Sequence, residues 1–221
     1  LTFPLFLYAL KPLRGWAAYR ASWLFAFGYF LCGLYWISNA LLLDVAAFWW
    51  ALPLAAAGLP LVLALFQAVA GWGAQRWGCD SGLSRPLLFA ALWGAMEWAR
   101  GHLFTGFPWL MLGQMWVEVD WVRLLAGLGG AYLVSLWAVT LAVLPAAPRG
   151  SRLSALVLGG VLITGAAGYA VWATARPPAP EGFLTLDLIQ PNIAQDLKLD
   201  RSARDRMLAD TLAVAVPPER R

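Results

Sequence analysis

The chain has 221 residues, 61% of them apolar and 13% charged, with a net charge of +4 and a mean hydropathy of +0.66. A soluble domain averages about half apolar and about a quarter charged, so this balance excludes an ordinary cytosolic enzyme and a disordered chain. Residues 1–175 carry all 14 tryptophans and 14 of the 28 charges, whereas the last 46 residues carry seven charges of each sign. The positive surplus therefore lies between apolar segments. It is a topology signal, and no nucleic-acid partner is expected.

Crossing a hydrocarbon core of ~30 Å takes about 20 apolar residues. Residues 1–10 form an apolar stub ended by Lys11-Pro12. Charge-free intervals follow at 21–43, 45–75, 124–148 and 153–175. The stretch 86–117 is interrupted only by Glu97, Arg100 and His102, is too long for one crossing, and breaks at Gly106, Pro108 and Gly113. The expected architecture over 1–175 is a polytopic helical bundle of five to six spans, the first partial. If the spans alternate, one side collects seven basic residues and one acid, among them Lys11, Arg85, Arg149 and Arg152. The other collects two basic residues and four acids. Basic loops stay in the cytoplasm, which puts the C-terminal tail outside. The chain opens on Leu1 with no signal-peptide pattern, and its start is expected to be missing.

Residues 176–182 form a Pro-rich, helix-ending linker. In Phe183–Ile189, Leu184, Leu186 and Leu188 alternate with Thr185 and Asp187, a strand pattern. Pro191-Asn192 breaks it, Asp200 suits an N-cap, and 201–214 reads as an amphipathic helix carrying Met207, Leu208 and Leu212. A strand followed by a helix opens an α/β domain, but so short a tail buries no useful core alone.

Glu97 and Arg100 share a helix face and can pair. Ionisable groups in an apolar segment either anchor a helix as an ion pair or contact a lipid headgroup or substrate. Phe104–Trp109 is an aromatic turn: an interfacial anchor, or the lining of an acyl-chain entrance through Phe107 and Trp109. His102 reads as a hydrogen-bonded bystander, and Cys32 and Cys79 as small structural hydrophobes. Gln190 and Asn192 follow the expected strand, where α/β sheets hold ligands, although a polar turn has the same composition. No metal or cofactor site is expected.

At these two stretches the sequence resembles the apolipoprotein N-acyltransferase family. The family's helix and turn motif stands here as Glu97-Trp98-Ala99-Arg100-Gly101, Thr105-Gly106-Phe107-Pro108-Trp109 and Leu112-Gly113. Its entry into a nitrilase-like domain stands as Gln190-Pro191-Asn192-Ile193-Ala194-Gln195, with Lys198 three residues on. Ala194, Leu199, His102 and Gln114 depart from the usual Pro, Trp, aromatic and Tyr. The resemblance implies a multi-pass protein of the bacterial inner membrane with a periplasmic nitrilase-like domain over 183–221. It implies that the enzyme needs no cofactor, takes a phospholipid as acyl donor and a diacylglyceryl lipoprotein as acceptor, and works as a monomer. Lipid or substrate contacts are expected from Glu97, Arg100, Phe107, Trp109, Gln190, Asn192 and Lys198. The family's Glu, Lys and Cys triad, which forms a Cys thioester, would lie beyond residue 221, so the chain is expected to be truncated and inert alone. Two other readings are a polytopic transporter subunit, for which no internal repeat is evident, and the membrane part of a glycolipid-synthesis nitrilase fusion.

Overall fold

The computed structural model describes residues 2–176, 190, 192–193 and 203–215. The chain forms two compact units, Leu1–Arg176 and Pro177–Arg221. In the first, α1 (Thr2–Leu10) leads to α2 (Gly15–Leu34), a 3-10 stretch over Tyr35–Asp44 and the short α3 (Val45–Phe48). There follow α4 (Leu52–Trp77), α5 (Ser84–His102), the turn of α6 (Asp120–Arg123), α7 (Ala126–Val143) and α8 (Arg152–Thr174).

Among the described residues, four helical segments are long and apolar enough to cross a membrane: Gly15–Asn39, Val45–Trp77, Ala126–Ala146 and Arg149–Thr174. Each matches one charge-free interval. The first starts before its interval and takes in Arg20, the second runs past its interval to take in Arg76, and the fourth starts before its interval and takes in Arg149 and Arg152. All four arginines are exposed, and a long side chain at a span end carries its charge to water while its stem covers apolar surface. The fifth long helix, α5, has 19 residues, about 28 Å at 1.5 Å per residue. It ends at His102, before the expected break.

Helix α4 packs between α2 and α5 through small residues. Ala64, Ala68, Ala70 and Ala74 are fully buried, and a Cβ on Gly71 would lie 2.9 Å from the Cβ of Ser22. In lipid, where apolar burial drives little association, such close backbone approach holds helices together. The N-terminal stub is part of this core: Phe3, Leu7 and Leu10 are buried with Phe89, Trp93, Val139 and Val143. Gln75 Nε2 donates to the carbonyls of Lys11 (3.0 Å) and Leu13 (2.9 Å), tying the α1–α2 link to α4. Trp137 Nε1 donates to the Leu162 carbonyl at 3.1 Å, joining α7 to α8. The outer face of α8 exposes Leu153, Leu156, Val157, Val161 and Val171, which suits lipid and not water. Cys32 and Cys79 are exposed, not packed as small hydrophobes.

In the second unit, α9 spans Arg204–Ala215, close to the expected 201–214. Met207 is half-buried, and Leu208 and Leu212 are exposed. The strand expected at 183–189 and the cap at Asp200 lie outside the described residues. The described residues are mainly helical and contain no strand, so of the expected architecture they show the helical bundle and not the nitrilase-like sheet.

Candidate functional site

The last two turns of α5 and the segment 103–113 form one unit. After His102 the chain reverses through three left-handed residues, Phe104 (φ 56°), Gly106 (φ 73°) and Leu110 (φ 56°). Gly106 is required twice over. Its φ favours glycine, and a Cβ there would stand 2.6 Å from the Gly101 carbonyl oxygen. The reversal is closed by hydrogen bonds from the amide of Leu103 to the carbonyl of Ala99 (2.7 Å), Gly106 to Leu103 (3.0 Å) and Phe107 to Arg100 (2.8 Å).

Such a turn leaves carbonyls without helical partners, and a buried carbonyl must find a donor. Arg100 supplies it. Its Nη1 donates to the carbonyls of Phe107 and Trp109, both at 2.7 Å, and its Nη2 to that of Leu110 at 3.2 Å. The Tyr29 hydroxyl also donates to the Leu110 carbonyl at 2.8 Å. Phe30 lies beneath the guanidinium, 5.2 Å from its carbon, a favourable placement of a cation over a ring face. Glu97 works on the other side of the turn. Its Oε1 accepts from the Leu112 amide at 3.0 Å and from Trp93 Nε1 at 3.2 Å. The Glu97–Arg100 separation is 4.0 Å, so each group is held more closely by backbone or indole than by its ionic partner.

Both side chains are buried, Glu97 at 0% and Arg100 at 2% exposure. Their polar contacts run inward, to the turn and to Trp93. The surface of the site is made by the residues they position. Phe104 is 93% and Trp109 54% exposed, while Phe107 is half-buried against the cluster containing Phe30 and Leu34. Trp109 lies 5.9 Å from Trp36 and 6.4 Å from Phe107, ring centre to ring centre. Leu110 packs onto Gly33, where it occupies the space a Cβ would take. Gly113 fixes the far end: its amide donates to Ser135 Oγ at 2.7 Å, and a Cβ there would strike the Ala131 carbonyl. Next to it, α7 is broken at Gly129 and Gly130.

His102 Nδ1 lies 2.8 Å from the Trp98 carbonyl, to which it donates, and its ring stacks on Trp98 at 4.6 Å. The hydrogen bond expected of it is present. Tyr29, Trp93 and Ser135 were not singled out in the sequence. Trp93 stands four residues before Glu97 on one helix face, a local signal; Tyr29, 81 residues from Leu110, gives none. Gln190 and Asn192 are exposed in the second unit, Asn192 at φ 48°, a conformation asparagine tolerates. Lys198 lies outside the described residues. The structure thus brings together Glu97, Arg100, Phe107 and Trp109.

Residues 1–144 match the family described as the apolipoprotein N-acyltransferase N-terminal domain. A protein named apolipoprotein N-acyltransferase from Allorhizobium ampelinum is 37% identical over 217 residues, 94% of this chain and 40% of that protein. Proteins of the same name from Brucella melitensis and Rhizobium etli are 38% identical over 200 residues and 39% over 207. These alignments take in 88% and 90% of this chain and 37% and 38% of the relatives. The chain spans about two fifths of the length of the curated relatives it matches.

Proposed function

The chain belongs to the apolipoprotein N-acyltransferase family, and from that premise we propose that residues 1–176 are the membrane platform of a phospholipid-to-lipoprotein acyltransferase. In the proposed reaction a cysteine thiolate of the nitrilase-like domain attacks an ester carbonyl of the phospholipid. The C–O bond breaks, the glycerol oxygen leaves and takes up a proton, and a thioester remains. The α-amino group of a diacylglyceryl-cysteine then attacks the thioester, forming an amide, losing its proton and releasing the thiol. Both substrates are lipids, so the reaction needs a fixed lipid-facing surface beside it.

One observation carries this reading: two buried ionisable side chains spend their hydrogen bonds on holding an aromatic turn in place. A helix anchor needs no such arrangement, because an interfacial tryptophan suffices. Phe107 and Trp109 are the residues proposed to meet acyl chains, with Glu97 and Arg100 as positioning residues beneath them. Gln190, Asn192 and Lys198 are proposed to act at the entrance to the nitrilase-like domain. We place the aromatic turn at the periplasmic end. Lys11, Arg85, Arg149 and Arg152 gather at the opposite end of the bundle, and basic ends are retained in the cytoplasm.

The test is a chimera in which this chain replaces the matching segment of the Allorhizobium relative, expressed in a bacterium depleted of its own enzyme. Lipoprotein N-termini read by mass spectrometry should be N-acylated. Arg100→Met in the chimera should lower that acylation tenfold or more at equal membrane abundance. Undiminished acylation by the variant would refute the positioning role.

A further inference from the structure

At the end of the bundle away from the aromatic turn, three segments distant in sequence meet around an open cavity of about 410 Å³. They are the end of α1, the link into α5 and the link between α7 and α8. Lys11, Arg85, Arg149 and Arg152 line the cavity, with Asp80 as its one carboxylate. Asp80 is engaged by Arg85, Oδ1 to Nη1 at 2.5 Å. Lys11, Arg149 and Arg152 have no carboxylate within 4 Å among the described residues. Arg85 is 8% exposed, and its Nε has no partner among the described residues. Cations gathered this way repel one another, most of all near lipid, and an anion between them removes the repulsion.

A second cavity of about 600 Å³ lies between α7 and α8 and shares Pro145 and Arg152 with the first. Its floor is Ala155, Gly159 and Gly160, and Leu141, Leu156 and Ile163 wall it. A Cβ on Gly160 would meet nothing within 4 Å, so the groove is open along that helix. The two cavities together are cationic at one end and apolar along the other, with Arg152 at the join.

We infer that this is a binding site for an anionic phospholipid, its phosphate among Lys11, Arg149 and Arg152 and one acyl chain in the α7–α8 groove. Charge complementarity selects the head, and the adjoining groove selects a lipid over a free anion. The site is distinct from the aromatic turn: Arg85 and Arg100 stand at opposite ends of α5, about 22 Å apart along its axis. This lipid is a resident of the basic end, and the inference does not depend on the proposed acyl transfer.

The experiment is native mass spectrometry of the purified chain in neutral detergent, mixed in turn with phosphatidylglycerol, phosphatidylcholine and inorganic phosphate. Phosphatidylglycerol should be retained as one bound molecule, with phosphatidylcholine and phosphate at least about tenfold weaker. The double variant R149Q/R152Q should lower phosphatidylglycerol retention about tenfold or more, because each surface cation contributes about 1 kcal/mol toward an anionic lipid. Gly160→Phe, which fills the groove and leaves every charge in place, should lower it as well. Lys11→Gln is the second head variant should R149Q/R152Q lose helical circular dichroism, and the same direction is expected. Equal retention of phosphatidylcholine, or phosphate binding untouched by Gly160→Phe alongside unchanged phosphatidylglycerol retention, would overturn the inference. The first result describes a bare apolar groove, the second a simple anion site.

Discussion

The two ends of α5 carry arginines in opposite circumstances. Arg100 is enclosed, and three backbone carbonyls engage its Nη1 and Nη2, while its Nε has no partner among the described residues. Arg85 borders an open cavity whose other cations have no carboxylate beside them among the described residues. An arginine inside an apolar bundle is tolerated when its hydrogen bonds are satisfied from within, and there it can act as a structural clamp. A group of arginines at the bundle's edge keeps its charge available to something outside. The same residue type thus fixes shape at one end and leaves an electrostatic demand at the other.

The comparison breaks most sharply at the clamp. Arg100→Met strands the Phe107 and Trp109 carbonyls, leaves that of Leu110 to the Tyr29 hydroxyl alone, and leaves Glu97 buried beside no cation. Removing one partner of a buried charged network costs about 3–5 kcal/mol, and the loss should appear in denaturant unfolding in mixed micelles. Gly106→Ala is next. It forces a side chain into a left-handed residue and against the Gly101 carbonyl, and the expected loss is about 1–3 kcal/mol in the same assay. Gln67→Leu sharpens the comparison in the other direction. Gln67 is 1% exposed, and neither of its amide atoms has a partner among the described residues, so it sits in the bundle with no side-chain hydrogen bond, whereas the Arg100 guanidinium makes three. Leucine should raise stability by about 1–3 kcal/mol, the usual penalty of an unmet buried polar group. The smallest effect belongs to Arg123→Ala. Its 2.7 Å contact with Asp120 joins two largely exposed side chains, and the change should stay within about 1 kcal/mol.

Much of the bundle was legible because the bilayer imposes a length and a charge rule. Intervals free of charge gave the spans, and Gly106 and Pro108 marked the break after α5. The span ends were less legible, since Arg20 and Arg76 continue their helices. The stub at 1–10 gave no sign that Leu7 and Leu10 would be among the most buried side chains, because nine residues cannot span a bilayer and their packing is decided by α5 and α7. In the site, the i,i+3 spacing correctly brought Glu97 and Arg100 onto one face, but it could not show which way that face points. Their partners are carbonyls and amides of a turn, and main-chain groups leave no trace in residue identity. Ser135, 22 residues from Gly113, and Tyr29 enter through tertiary packing alone.

We propose that the clamped aromatic turn stands on the outer face of the membrane. Cysteine labelling in intact spheroplasts tests it with one reagent, a membrane-impermeant maleimide, on a Cys32→Ser background. Phe104→Cys marks the turn at its most exposed position, and the native Cys79, also exposed, marks the basic end. The account predicts that the thiol introduced at 104 is labelled from outside, and that Cys79 is labelled only after the membrane is opened. Labelling of Cys79 in intact cells with protection at 104 would contradict it.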